Sequence, residues 1–220
     1  MLPQPQLIGI GTEAIYSFII IVCSFMIYFA TKELYDLTSH KGIKYFRFAF
    51  LFFALSYIAR LILEFLVMFF DAQRVFDLTP IFGLTLITAY IYLSTMSLFF
   101  LLQSVLWKHW HKRNLYLLHV IAIFVALLTI LFNNPLILFL INVFLFLILI
   151  FIIIMAYRQS LKKGLDLYLI YILLFIFWIL NIINLLIPRF LEIFQLLIYF
   201  ASAGIFFIIL YKVLKKVGSN

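Results

Sequence analysis

Seven runs of about 20 apolar residues, parted by short polar breaks, decide what this chain can be, because a run of that length is what an α-helix needs to cross a bilayer. They fall at residues 10–31, 46–70, 80–106, 115–132, 136–157, 167–187 and 192–212. The breaks carry turn chemistry: charges and a proline between Asp71 and Pro80, the turn Asn133-Asn134-Pro135, and Pro188-Arg189 after the sixth run. The fourth run is the shortest. The reading is therefore an all-α polytopic transmembrane bundle of seven helices, one integral membrane domain over residues 1–220.

Composition excludes the soluble alternative. Of the 220 residues, 68% are hydrophobic and 11% charged, with 28 Phe, against roughly 45–50% apolar and 25% charged in a soluble domain. No soluble fold of this length can hide that much apolar surface, so the bilayer is the first partner. The formal net charge of +8 does not point to nucleic acid, since the basic residues are spread over short loops and form no continuous face for phosphates.

Those loop charges predict an orientation, because Lys and Arg accumulate on the cytoplasmic side. The loops after spans one, three and five and the C-terminal tail hold Lys32, Lys41, Lys44, Arg47, Lys108, Lys112, Arg113, Arg158, Lys162, Lys163, Lys212, Lys215 and Lys216. The opposite loops hold only Arg74 and Arg189, and Arg60 lies within a span. Every alternate loop agrees, which predicts a cell-membrane protein with its N-terminus outside and its C-terminus inside. Met1 to Gly11 has no Lys or Arg, unlike a signal peptide, so the first run reads as a retained helix. The longest break, Lys32 to Lys44, is read as a loop too short to fold alone. The single cysteine, Cys23, sits inside the first run and reads as a packing residue.

A weak internal repeat is legible. Ile91-Tyr92-Leu93-Ser94-Thr95 aligns with Ile198-Tyr199-Phe200-Ala201-Ser202, and in the same frame Lys108 falls on Lys215. Lys41-Gly42-Ile43 matches Lys163-Gly164-Leu165, which sets Arg60 within a residue or two of Asn181. This suggests a three-plus-one-plus-three plan, with parallel repeats over 8–107 and 136–216 and a linker helix at 115–132. Chance alignment of Phe- and Leu-rich helices is the competing explanation.

Ionisable groups inside a span are costly and mark functional candidates. Arg60 and Glu64 are four residues apart on one helix face, with Ser56 extending the stripe inward. They form either an internal salt bridge or a ligand clamp or ion-coupled gate, unless Glu64 reaches to the head groups. Similar depth is reached by Asn181, Asn184 and Trp178 in span six, by Thr85, Thr88, Tyr92 and Thr95 in span three, by Asn142 in span five, and by Gln195, Tyr199 and Ser202 in span seven. Glu13 lies near the outer end of span one. Converging, Arg60, Glu64, Thr88, Tyr92, Asn142, Trp178, Asn181, Asn184 and Tyr199 would line an outward-facing pocket for a small polar or zwitterionic ligand. Taken singly, each amide or hydroxyl is as well explained by interhelical hydrogen bonding, worth about 0.6 kcal/mol.

His109 and His111 sit in the aromatic and basic run Trp107 to Arg113, which reads as an interfacial belt. His119 lies within span four and His40 in a loop. No HExxH, GxSxG, GxGxxG or P-loop pattern occurs, no metal set is evident and span seven has no mid-helix lysine for retinal, so neither an enzyme nor a cofactor is expected.

The stretch His40-Lys41-Gly42-Ile43-Lys44-Tyr45-Phe46-Arg47, continuing through Ala49 to Ala54 and on to Arg60, resembles a group of uncharacterised archaeal multipass membrane proteins. The resemblance covers the first two spans and implies a membrane protein of this size. Helix count and orientation are also similar to the SWEET and PQ-loop families, whose Pro-Gln pair lies within a span; here Pro3-Gln4 and Pro5-Gln6 lie in the N-terminal tail. Three functions remain open: a small transporter or binder of a polar solute, a receptor-like sensing module acting on a cytoplasmic partner at the basic loops, and a structural or assembly subunit.

Overall fold

The computed structural model describes residues 5–70, 80–108, 112–132, 135–163, 167–186 and 192–218. It contains seven α-helices: α1 Pro5–Thr38, α2 Lys41–Phe70, α3 Pro80–Leu106, α4 Lys112–Phe132, α5 Pro135–Lys163, α6 Leu167–Leu186 and α7 Glu192–Val217. Arg74, Arg189, Pro188, His109, His111, Asn133, Asn134, Gly164, Pro3 and Gln4 lie outside the described residues, as do the side chains of Lys112, Arg113, Lys162 and Lys163.

Each apolar run became one helix. α3 and α5 begin on Pro80 and Pro135, where a missing N–H costs nothing and the fixed φ suits the first turn. α7 ends with Lys215 and Lys216 in its last turn, where their charge meets the negative end of the helix dipole. Among the described residues, five helices are long and apolar enough to cross a membrane; α4 and α6 contain the shorter apolar stretches Asn114–Thr129 and Tyr168–Asn184. At 20 residues, α6 is still about 30 Å long, the thickness of a bilayer's hydrocarbon core.

The break between the first two spans differs from the expected loop. α1 runs on through Lys32, Glu33 and Asp36 to Thr38, and α2 starts at Lys41. Charged side chains stop a transmembrane run but not a helix, since beyond the hydrocarbon they are simply solvated. The chain reverses at Ser39, which takes a left-handed φ of 49°. Gly42 then permits a close approach: a Cβ there would stand 3.0 Å from the Ser104 carbonyl of α3.

Helices α1, α2, α3, α5, α6 and α7 pack in a closed ring, each against the next and α7 back against α1; α4 sits outside it, against α3 and α5. Exchanging α1, α2 and α3 for α5, α6 and α7 carries each neighbour contact of this ring onto another. α2 and α6 are not neighbours in the ring, but their aromatic side chains reach each other across its middle, Phe46 meeting Tyr171 and Phe53 meeting Phe177. Phe206 of α7 completes a three-ring contact, 5.4 Å from Phe53 and 4.8 Å from Phe177 between centroids. Phe177 and Phe206 are almost wholly buried, so the middle of the bundle is packed with aromatic rings. The outward faces of α4 and α5 expose Leu117, Val120, Phe124, Leu140, Leu147 and Phe151, an extended apolar surface of the kind a bilayer covers.

Candidate functional site

Three charged side chains meet where α1, α2 and α7 adjoin. Arg60 Nε donates to Glu64 Oε1 at 2.7 Å, along one face of α2. Its Nη2 donates across to Glu13 Oε1 of α1 at 2.9 Å. The same Glu13 oxygen accepts the Tyr199 hydroxyl of α7 at 2.8 Å, and Asn184 Nδ2 of α6 lies 3.4 Å from that hydroxyl. Ser17 Oγ, one turn along α1 from Glu13, donates to Glu64 Oε2 at 3.3 Å. One network thus links four helices.

Aromatic rings enclose the guanidinium. Arg60 Cζ lies 5.7 Å from the Tyr57 ring centroid and 5.9 Å from that of Tyr16, within cation–π range. The two hydroxyls are 3.2 Å apart, and Tyr16 stacks on Tyr199 at 4.8 Å. Asn181 and Ser202 lie beside the Tyr16 hydroxyl, and Tyr90 of α3 lies near the guanidinium. Side-chain exposure is 17% for Arg60, 11% for Glu64 and 31% for Glu13, so Glu13 is the most exposed of the three. With all three ionised, two carboxylates face one guanidinium and the cluster carries an excess negative charge.

Of the nine residues picked out from the sequence, the structure brings Arg60, Glu64, Asn184 and Tyr199 into one network, as the pairs Arg60–Glu64 and Asn184–Tyr199 joined through Glu13. Asn181 is adjacent but turns its amide to the Phe177 carbonyl at 2.9 Å. Trp178 is buried a turn further in, its indole N–H without a protein acceptor. The others lie elsewhere. Thr88 bonds back to the Leu84 carbonyl at 2.6 Å. Tyr92 points to α4, its hydroxyl 2.8 Å from His119 Nδ1. Asn142 is on α5, which packs on α3, α4 and α6 and not on α1, α2 or α7. Tyr16, Ser17 and Tyr57 are members that sequence reading did not select. The signal was present, since Tyr16 and Ser17 follow Glu13 by three and four residues and Tyr57 precedes Arg60 by three, the spacings of one helix face.

The expected pocket around Arg60, Glu64, Asn181 and Asn184 takes a different form. Opposite charges on neighbouring helices have closed directly on one another, because little else there can compensate them. A cavity of about 140 Å³ lies behind Tyr16 and Tyr199, between α1 and α7, walled by Ile15, Ile19, Leu196 and Ala203. Its walls are almost wholly apolar.

A ring of apolar helices around an aromatic centre, with one buried ionic network, defines a polytopic helical membrane protein. Along nearly its whole length the chain is similar to an "Uncharacterized protein" of Archaeoglobus fulgidus, 34% identical over 96% of this chain and 95% of the relative. The chain belongs to the same family as that archaeal protein. No protein-family model matches it, and no solved structure does.

Proposed function

We propose that this protein binds a small zwitterionic or amine-bearing solute from the outer side, at the Glu13–Arg60–Glu64 network, and passes it across the membrane. The observation that carries this reading is the single Glu13 oxygen shared between Arg60 of α2 and Tyr199 of α7. Glu13 is the most exposed of the three charges and joins one three-helix group to the other. A ligand amine competing for Glu13 releases Arg60 for a ligand carboxylate, so one exchange both binds the solute and loosens the α1–α7 seam. The cavity behind Tyr16 and Tyr199 gives those rings room to move.

The same proposal takes all seven helices as crossings, with the N-terminus outside. Were α4 and α6 not to cross, Arg158, Lys162 and Lys163 would fall on the outer side, against the distribution of the other basic loops. The symmetric neighbour pattern of the ring supports two parallel three-helix repeats with α4 as linker, the plan seen in SWEET-type transporters. A structural role is the second reading, favoured by the packed Phe53–Phe177–Phe206 centre.

The test is a thermal-shift screen of the purified protein against amino acids and small amines, followed by uptake into proteoliposomes. A compound that stabilises the wild type is expected to lose its effect on Arg60→Ala and Glu64→Ala. If no member of the panel shifts the wild type, or both variants respond to a hit as the wild type does, the structural reading replaces this one.

A further inference from the structure

A second arginine is held in an unusual way, at the opposite end of the molecule from the outer network. Arg47 lies six residues into α2, about 9 Å from its start. Its Nε donates to the Tyr28 carbonyl of α1 at 3.3 Å. Its Cζ stands 4.8 Å from the Tyr28 ring centroid and 5.9 Å from that of Tyr35. The guanidinium therefore lies along the α1 stripe that contains Tyr28, Lys32 and Tyr35. Lys44 is one turn earlier on α2, and both Lys32 and Lys44 are exposed.

Two facts separate this group from a loose surface charge. Its orientation is fixed by an α1 carbonyl and two rings, so little side-chain entropy remains to be lost on binding. Among the described residues no carboxylate pairs with it: the ion pairs are those of Arg60, and neither Glu33 nor Asp36 reaches it. The one hydrogen bond uses Nε, which leaves the two terminal nitrogens as a fork that matches two oxygens of a phosphate.

Depth identifies the occupant. α1 is about 51 Å long, so both its ends overrun a hydrocarbon core of about 30 Å. With the core centred on α1, the Tyr28–Tyr35 stretch straddles its boundary, where phospholipid phosphates lie and where Tyr rings concentrate. We infer that Arg47, with Lys32 and Lys44, forms a binding site for the phosphate of an anionic membrane lipid, in the leaflet on the side of the basic loops.

Native mass spectrometry of the full chain in mild detergent tests this, with phosphatidylglycerol and phosphatidylcholine of equal chain length titrated separately. Phosphatidylglycerol should be retained over phosphatidylcholine by on the order of tenfold, since both carry the phosphate but the choline cation of the latter cancels the charge that draws the head group to three basic side chains. Arg47→Gln should abolish the preference, and Lys215→Gln, on α7, should keep it. Should Arg47→Gln fail to fold, Lys32→Gln with Lys44→Gln on the exposed surface should lower retention several-fold. Equal retention of the two lipids, an unchanged preference in Arg47→Gln or in the lysine pair, or an equal loss in Lys215→Gln would each overturn the site. Displacement of the lipid by an equal concentration of inorganic phosphate would also overturn it, by making the ligand free phosphate.

Discussion

The charged end of the bundle and its aromatic middle share α2, α6 and α7 and hold together by different means. At the charged end, α1, α2, α6 and α7 are joined through Glu13, Arg60, Glu64, Asn184 and Tyr199. In the middle, Phe53, Phe177 and Phe206 join α2, α6 and α7 by ring contact alone. Inside a bilayer, apolar side chains gain little by leaving lipid for protein, so packing shape and polar links carry helix association. The polar layer is directional, each link setting a donor against an acceptor. The aromatic layer fixes packing shape and fills the middle of the bundle. Directional polar links at one level and ring packing at the next is the division the two layers express.

Substitutions that unbalance one layer and spare the other sharpen the comparison. The largest effect is expected from Arg60→Ala, which leaves Glu13 and Glu64 close together without a cation. Breaking one side of a buried ion pair costs about 3–5 kcal/mol, read as a large fall in the melting temperature of the purified protein, with much of it restored in Arg60→Ala combined with Glu64→Gln. Phe206→Ala comes next, at about 3 kcal/mol, since it empties a ring-sized volume in a packed centre; solute binding at the outer network should survive at low temperature. A double-mutant cycle of Glu13→Gln and Tyr199→Phe should give a coupling of about 1 kcal/mol in thermal unfolding, and additive effects would mean that the α1–α7 link contributes nothing. Tyr92→Phe is expected to cost least, about 0.6 kcal/mol, because its partner His119 is on the peripheral α4; any loss of solute binding in this variant would place the site elsewhere.

The helices themselves were legible in the sequence because lipid imposes a coarse, local rule: about 20 apolar residues, then a polar break. Arg60 and Glu64 were equally legible as partners, being one turn apart on one helix. What lay beyond reach was distance along the chain. Glu13 and Arg60 are 47 residues apart, Glu13 and Tyr199 186 apart, and nothing in composition fixes which faces of α1, α2 and α7 meet. Thr88 and Tyr92 show the converse. Both have helical spacing and suitable depth, yet α3 turns one back on its own carbonyl and the other toward α4. The reading of Lys32 to Lys44 as loop erred because charge marks the edge of the hydrocarbon, and a helix need not stop there.

The two-residue reversal at Ser39 and His40 has a consequence for how the protein is made. It ties α1 and α2 into a hairpin that is complete once the first 70 residues have been synthesised. Glu13, Arg60 and Glu64 all belong to that hairpin. Its three charges can therefore enter the bilayer already paired, before any later helix exists, and the cost of burying a lone arginine is never met. Tyr199 and Asn184 arrive afterwards, onto a charge pair that is already in place.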